Sequence, residues 1–263
     1  LNQYTVIDVH LRKINTKMMI RFAFYLLLWG CFQGCTNEPV DLVIPEQPVV
    51  PMITKEMKID ILCLGDSYTK GESVPTSQNF PNQLKDSLLL DTFDLLPAAP
   101  RIIAQTGWRT DQLINAISAA TEIQDSIFSL VTLCIGVNNQ YQNGNLEQYK
   151  TQFEALLKTA IIRAGNRKKR VIVVSIPDWA FTTYGQNYPG GGASVSAKID
   201  EYNAANKVIA DQYQVPYVNV TDISRQGLVR PELVAVDGLH PSAVQYAAWV
   251  RLILPVAKAV LVQ

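Results

Sequence analysis

The chain lacks net charge: Lys and Arg together number 23, and so do Asp and Glu. Without a field of one sign to draw in a polyanion, nucleic acid is not an expected partner. Histidine is scarcer still, with His10 and His240 the only two among 263 residues. Cysteine is limited to four residues, and no His/Cys cluster has the spacing of a zinc site. The Walker pattern that cradles phosphates is absent, as is Gly-x-Ser-x-Gly, the strand-to-helix elbow of many serine hydrolases. No metal and no organic cofactor is therefore expected. The one basic run, Arg167-Lys168-Lys169-Arg170, falls between a helical pattern and a strand and reads as a solvated turn.

What is present begins with an apolar fraction of 48%, enough for one α/β domain with a sizeable core plus a tail. Lys17 and Arg21 precede the uncharged run Phe22 to Trp29, which is short for a bilayer span and suits the core of a secretory signal. Gly30-Cys31 and Gly34-Cys35 each resemble the end of a bacterial lipoprotein signal, and both cysteines stand as lipidation candidates. Leu28 favours Cys31, whereas the distance from Met18 or Met19 favours Cys35. Residues 1–17 are expected to lie upstream of the true start. Residues 1–35 thus read as presequence and signal. Residues 36–57, with Pro39, Pro45, Pro48 and Pro51, read as a semi-extended tether. The expected address is the bacterial cell envelope, with membrane contact only through a lipid anchor.

From residue 58 to 263 a single domain is expected. Strand-like runs at 59–64, 101–104, 127–135, 171–176 and 217–220 are rich in Val and Ile. Helical patterns at 78–89, 110–122, 146–164, 193–212 and 242–260 alternate with them, Thr110 and Ser242 standing as N-caps. Such alternation predicts a parallel sheet of five strands with helices on both faces, and chemistry at the strands' carboxyl ends. Cys63 and Cys134 fall in buried strands and read as small hydrophobes.

Ser67 follows the first strand in Gly65-Asp66-Ser67-Tyr68, where a strand-to-helix turn presents a hydroxyl outward. Alone, that tripeptide is an ordinary turn signal. A serine hydroxyl needs a base to become a nucleophile, and His240 is the one histidine in the domain. It stands in Asp237-Gly238-Leu239-His240, where a carboxylate across a tight turn can reach the imidazole and fix its tautomer.

These blocks resemble those of the SGNH/GDSL hydrolases, a family of esterases, lipases, thioesterases and carbohydrate esterases. The resemblance implies a flavodoxin-like three-layer α/β/α sandwich and a two-step acyl transfer through an acyl-enzyme. It assigns Ser67 as nucleophile, Asp237 and His240 as acid and base, and the amides of Ser67 and Gly107 with the Asn138 side chain as the oxyanion hole. Gly107 lies in Gln105-Thr106-Gly107-Trp108 and Asn138 in Gly136-Val137-Asn138-Asn139. The family's third block usually ends Asn-Asp, so Asn139 departs from it at a position that mainly supports the loop. Asp66 reads as structural, bonding nearby amides.

Tyr68, Trp179 and Phe181 are candidates for substrate contact. The last two sit in a loop from Pro177 to Gly192 that also carries Tyr184, Tyr188 and three consecutive glycines. The expected substrate is a small-molecule or polysaccharide ester, either carbohydrate or lipid. Activity should fall as acid protonates His240. The rival expectation is a non-catalytic surface lipoprotein that binds a glycan on the same fold.

Overall fold

Val171-Ile172-Val173-Val174 is a strand because β-branched side chains suit the pleat, and it is buried throughout because helices cover both faces of a parallel sheet. The computed structural model describes residues 57–91, 95–189 and 191–261. The presequence, signal and nearly all of the tether lie outside these residues.

Among the described residues there are seven strands: β1 Met57–Ile59, β2 Ile61–Gly65, β3 Leu95–Pro97, β4 Arg101–Ala104, β5 Leu130–Cys134, β6 Val171–Val174 and β7 Tyr217–Val218. The main sheet is parallel and five-stranded in the order β4-β2-β5-β6-β7, while β1 and β3 pair separately. The expected first strand is split at half-buried Asp60. The expected strand at 127–135 is shorter, because Ile127 is exposed and Phe128 turns to bond the Arg163 carbonyl. The strand at 217–220 ends early, since Val220 and Thr221 amides bond Ser175 Oγ instead of a neighbouring strand.

The helices are α1 Ser67–Lys70, α2 Phe80–Asp91, α3 Thr110–Ala119, α4 Val137–Tyr141, α5 Leu146–Arg163, α6 Thr183–Gln186, α7 Ala193–Gln212, α8 Thr221–Ser224 and α9 Ala243–Leu261. Tyr246, Trp249, Val250, Ile253 and Ala257 recur at helical spacing and bury one face of α9, which packs on α2. Removing a side chain such as Val250 or Ile253 from water contributes roughly 1.5–3 kcal/mol. By length and composition α9 could cross a membrane, yet this apolar face is core. Helices α3, α5 and α7 pack in a row as the other helical layer.

Ser242 Oγ accepts from Gln245 N at 3.2 Å, as an N-cap should. Thr110 does not cap: it is the first helical residue, Arg109 holds the extended cap position, and the Thr110 hydroxyl donates to Gln152. The helix ends at Ala119, where Ala120 leaves helical geometry and a short 3-10 turn follows. The helix expected from residue 78 starts at Phe80, since Asn79 is extended after a 3-10 turn. Cys63 and Cys134 are buried free thiols.

Register places Gly65 opposite both Ala104 and Cys134, so β2, β4 and β5 end level. The blocks carrying Ser67, Gly107 and Asn138 therefore emerge side by side.

Candidate active site

The nucleophile candidate is held by backbone constraints at both ends of its turn. A Cβ on Gly65 would lie 2.3 Å from the Cys134 carbonyl and 2.1 Å from Thr69 Oγ1, so only glycine lets β2 enter this turn beside β5. Asp66 then caps α1, its Oδ1 accepting from Tyr68 N at 3.0 Å. Burial pushes the Asp66 carboxyl up to about 7, against the pull of amide donors at Tyr68, Gly136 and its own backbone.

Ser67 is buried, and its Oγ lies 3.0 Å from His240 Nε2. On the other side of the ring, His240 Nδ1 lies 2.6 Å from Asp237 Oδ2. A carboxylate only accepts, so Nδ1 carries the proton and Nε2 is left to accept from the serine hydroxyl. Asp237 Oδ1 takes the amides of Leu239 and His240, both at 3.0 Å, and Ser73 Oγ adds a bond to Oδ2. Partial burial raises this carboxyl, but those donors outweigh it and hold Asp237 at about 2. The edge of Tyr68 packs on the imidazole, centroids 5.7 Å apart.

Gly107 stands at φ 85°, a conformation L side chains rarely adopt, and among the described residues none beyond its two chain neighbours comes within 4 Å of where a Cβ would sit. Asn138 Nδ2 donates to the Trp108 carbonyl at 3.0 Å, which fixes the amide plane and leaves its second hydrogen without a partner among the described residues. Ser67, Gly107, Asn138 and His240 line one cavity of about 210 Å³. Asn139 is buried behind it, Oδ1 accepting from Thr110 N and Nδ2 donating to Thr110 Oγ1. This pins the block-three turn to the start of α3.

The rest of the cavity wall is mostly aromatic. Tyr68 and Trp179 line it; Trp179 is 3% exposed, with Nε1 donating to Gln140 Oε1 at 2.9 Å. Phe181 does not line it. The 3-10 turn Trp179–Phe181 sends Trp179 toward the cavity and packs Phe181 against the core. In its place stand Tyr184 and Tyr141, whose hydroxyls meet at 2.7 Å across the wall. Tyr184 N also donates to the Gly238 carbonyl at 3.0 Å, seating the aromatic loop on the Asp237–His240 turn. Tyr141 escaped sequence reading, its one signal being that it lies one helical turn after Asn138. No group of His, Cys, Asp and Glu suited to a metal occurs among the described residues.

The sequence model of the GDSL-like Lipase/Acylhydrolase family matches residues 63–248, and the chain belongs to that family. Comparison with curated proteins gives no significant match. Among solved structures, the chain resembles a family 3 carbohydrate esterase from Clostridium thermocellum at TM-score 0.60 and 20% identity, covering 78% of this chain and 98% of that one. A putative GDSL-like lipase from Parabacteroides merdae gives 0.60 and 16%, covering 78% and 96%. A lipase/acylhydrolase from Enterococcus faecalis gives 0.57 and 20%, covering 76% and 96%. At these identities the likeness concerns the fold.

Proposed function

We propose that this GDSL-family chain is a carboxylic ester hydrolase that works through a Ser67 acyl-enzyme. The supporting observation is the continuous contact from Asp237 through His240 to Ser67, at 2.6 and 3.0 Å. His240 Nε2 takes the serine proton as Oγ attacks the ester carbonyl, and Asp237 stabilises the imidazolium. The tetrahedral oxyanion is received by the amides of Ser67 and Gly107 and the free hydrogen of Asn138. His240 then protonates the leaving alcohol, and a water that it activates releases the acid.

The substrate proposed is a short acyl ester on a polysaccharide. A cavity of about 210 Å³ with an aromatic wall suits a small acyl group and the face of a sugar ring better than a long chain. The carbohydrate esterase among the structural neighbours agrees with this choice. The proposed address, a lipid anchor on the cell envelope through Cys31 or Cys35, rests on the sequence pattern and is compatible with such a substrate.

The test is hydrolysis of aryl esters of graded acyl length and of acetylated xylan by wild type and Ser67→Ala. Expected are a preference for acetyl over octanoyl and a loss of at least about a thousandfold in Ser67→Ala. Equal, negligible rates for both proteins, with retained glycan binding, would establish the non-catalytic alternative instead.

A further inference from the structure

Asp237 Oδ2 accepts two bonds of equal length, 2.6 Å from His240 Nδ1 and 2.6 Å from Ser73 Oγ. Ser73 belongs to the turn that follows α1, so the segment that carries the nucleophile also reaches the acid. The amides of Gly71 and Glu72 both donate to the Ser67 carbonyl, at 2.9 and 3.0 Å. The chain thus leaves Ser67, folds back onto that residue's own backbone and delivers the Ser73 hydroxyl to Asp237.

Nothing in the packing calls for serine at this position. Ser73 is exposed, and among the described residues Asp237 is the only partner of its hydroxyl. Its backbone stands at φ 64°, a left-handed conformation that strains an L side chain and that glycine adopts freely. A strained, exposed residue with one side-chain bond, aimed at the acid of the triad, is the pattern expected where conformation serves chemistry.

We propose that Ser73 is a positioning residue whose hydroxyl locks the rotation of the Asp237 carboxylate and so aims His240 at Ser67. Oδ1 is fixed by the amides of Leu239 and His240. Ser73 supplies the corresponding restraint on the solvent side of Oδ2. The inference rests on Ser67 and His240 acting as proposed above.

Three substitutions separate positioning from stability. Ser73→Ala and Ser73→Gly both remove the hydroxyl, and each should lower kcat about fivefold to tenfold with KM nearly unchanged. Ser73→Gly also releases the left-handed strain that Ser73→Ala keeps, so of the two variants lacking the hydroxyl it should melt higher. Ser73→Thr keeps the hydroxyl but puts a β-branched residue in that conformation. It should recover most of kcat while melting lower.

The pH profile gives a readout that a purely structural role would leave alone. Losing one donor makes Asp237 a stronger acceptor for the imidazolium. The acidic limb of kcat/KM therefore moves to higher pH in Ser73→Ala and Ser73→Gly, and returns in Ser73→Thr. The other ionisable groups facing this pair, Glu72 with its partner Lys70, Tyr68 and Tyr246, are common to all variants. If Ser73→Gly retains kcat within twofold while Ser67→Ala is dead, the Ser73 role is wrong and the nucleophile stands. If Ser67→Ala is as active as wild type, the underlying mechanism itself fails.

Discussion

Asp66 adjoins Ser67 in the chain and Asp237 bonds His240, yet the two carboxyls are pushed in opposite directions. Asp66 is 1% exposed and rises to about 7, because burial outweighs the amides around it. Asp237 keeps 30% of its side chain exposed and is held at about 2, because four donors outweigh a smaller burial penalty. On the proposed mechanism, the difference separates a structural acid from a chemical one. A group that must stay charged beside an imidazolium is given donors and some water, whereas one that shapes a turn can be sealed inside.

The sharpest way to break this contrast is the same substitution at both positions. Asp237→Asn presents an amide to Nδ1, favours the wrong tautomer, and should lower kcat by roughly a thousandfold to ten-thousandfold. Asp66→Asn keeps an oxygen for the Tyr68 amide and should hold kcat within about tenfold of wild type. Comparable losses at the two sites in steady-state assays would mean that Asp66 has a part in the chemistry.

Stability against pH gives a smaller effect of defined sign. An unfolded aspartate titrates near 3.9, whereas Asp66 in the fold keeps its proton to about 7. Between those values the folded state binds more protons, so unfolding free energy falls as pH rises through the window. Asp237 acts the other way, its contribution present above about pH 4 and lost only as pH falls toward 2. Urea titrations at pH 4 and pH 8 should therefore show wild type losing on the order of 3 kcal/mol relative to Asp66→Asn. A parallel pH dependence for the two proteins would refute the raised Asp66.

Sequence made one half of the site legible and left the other half obscure, for a physical reason. Ser67, Gly107, Asn138 and the Asp237–His240 turn each follow a strand or precede a helix, and their local blocks state their geometry. Ser73 and Tyr141 act through contacts across 164 and 43 residues of chain, which no local pattern encodes. Phe181 failed because a 3-10 turn places neighbouring aromatics on different sides, so composition alone could not say which faces the cavity. The parallel sheet followed from the alternation of elements. Strand ends were missed where side chains compete for backbone amides, as Ser175 does at Val220 and Thr221.

A third position extends the comparison, since Asn139 stands where the family usually carries Asp. It is 6% exposed, the burial that raises Asp66, but it faces the Thr110 amide and hydroxyl as Asp237 faces its donors. Asn139→Asp would place a carboxylate on those two groups. The Thr110 hydroxyl has one hydrogen, now given to Gln152 Oε1 at 2.5 Å, while Asn139 Nδ2 donates to its oxygen. Accepting a carboxylate therefore requires Gln152 to turn its amide and donate to Oγ1, freeing that hydrogen. With this rearrangement available, kcat should change less than about threefold and stability by about 1 kcal/mol at most. Gln152→Glu removes the rearrangement, because a glutamate has no amide to turn. The double substitution should then be less stable than the two singles predict by about 1 kcal/mol or more in a double-mutant cycle. Additivity there would show that Thr110 is not the shared donor, and that burial alone governs the acids around this turn.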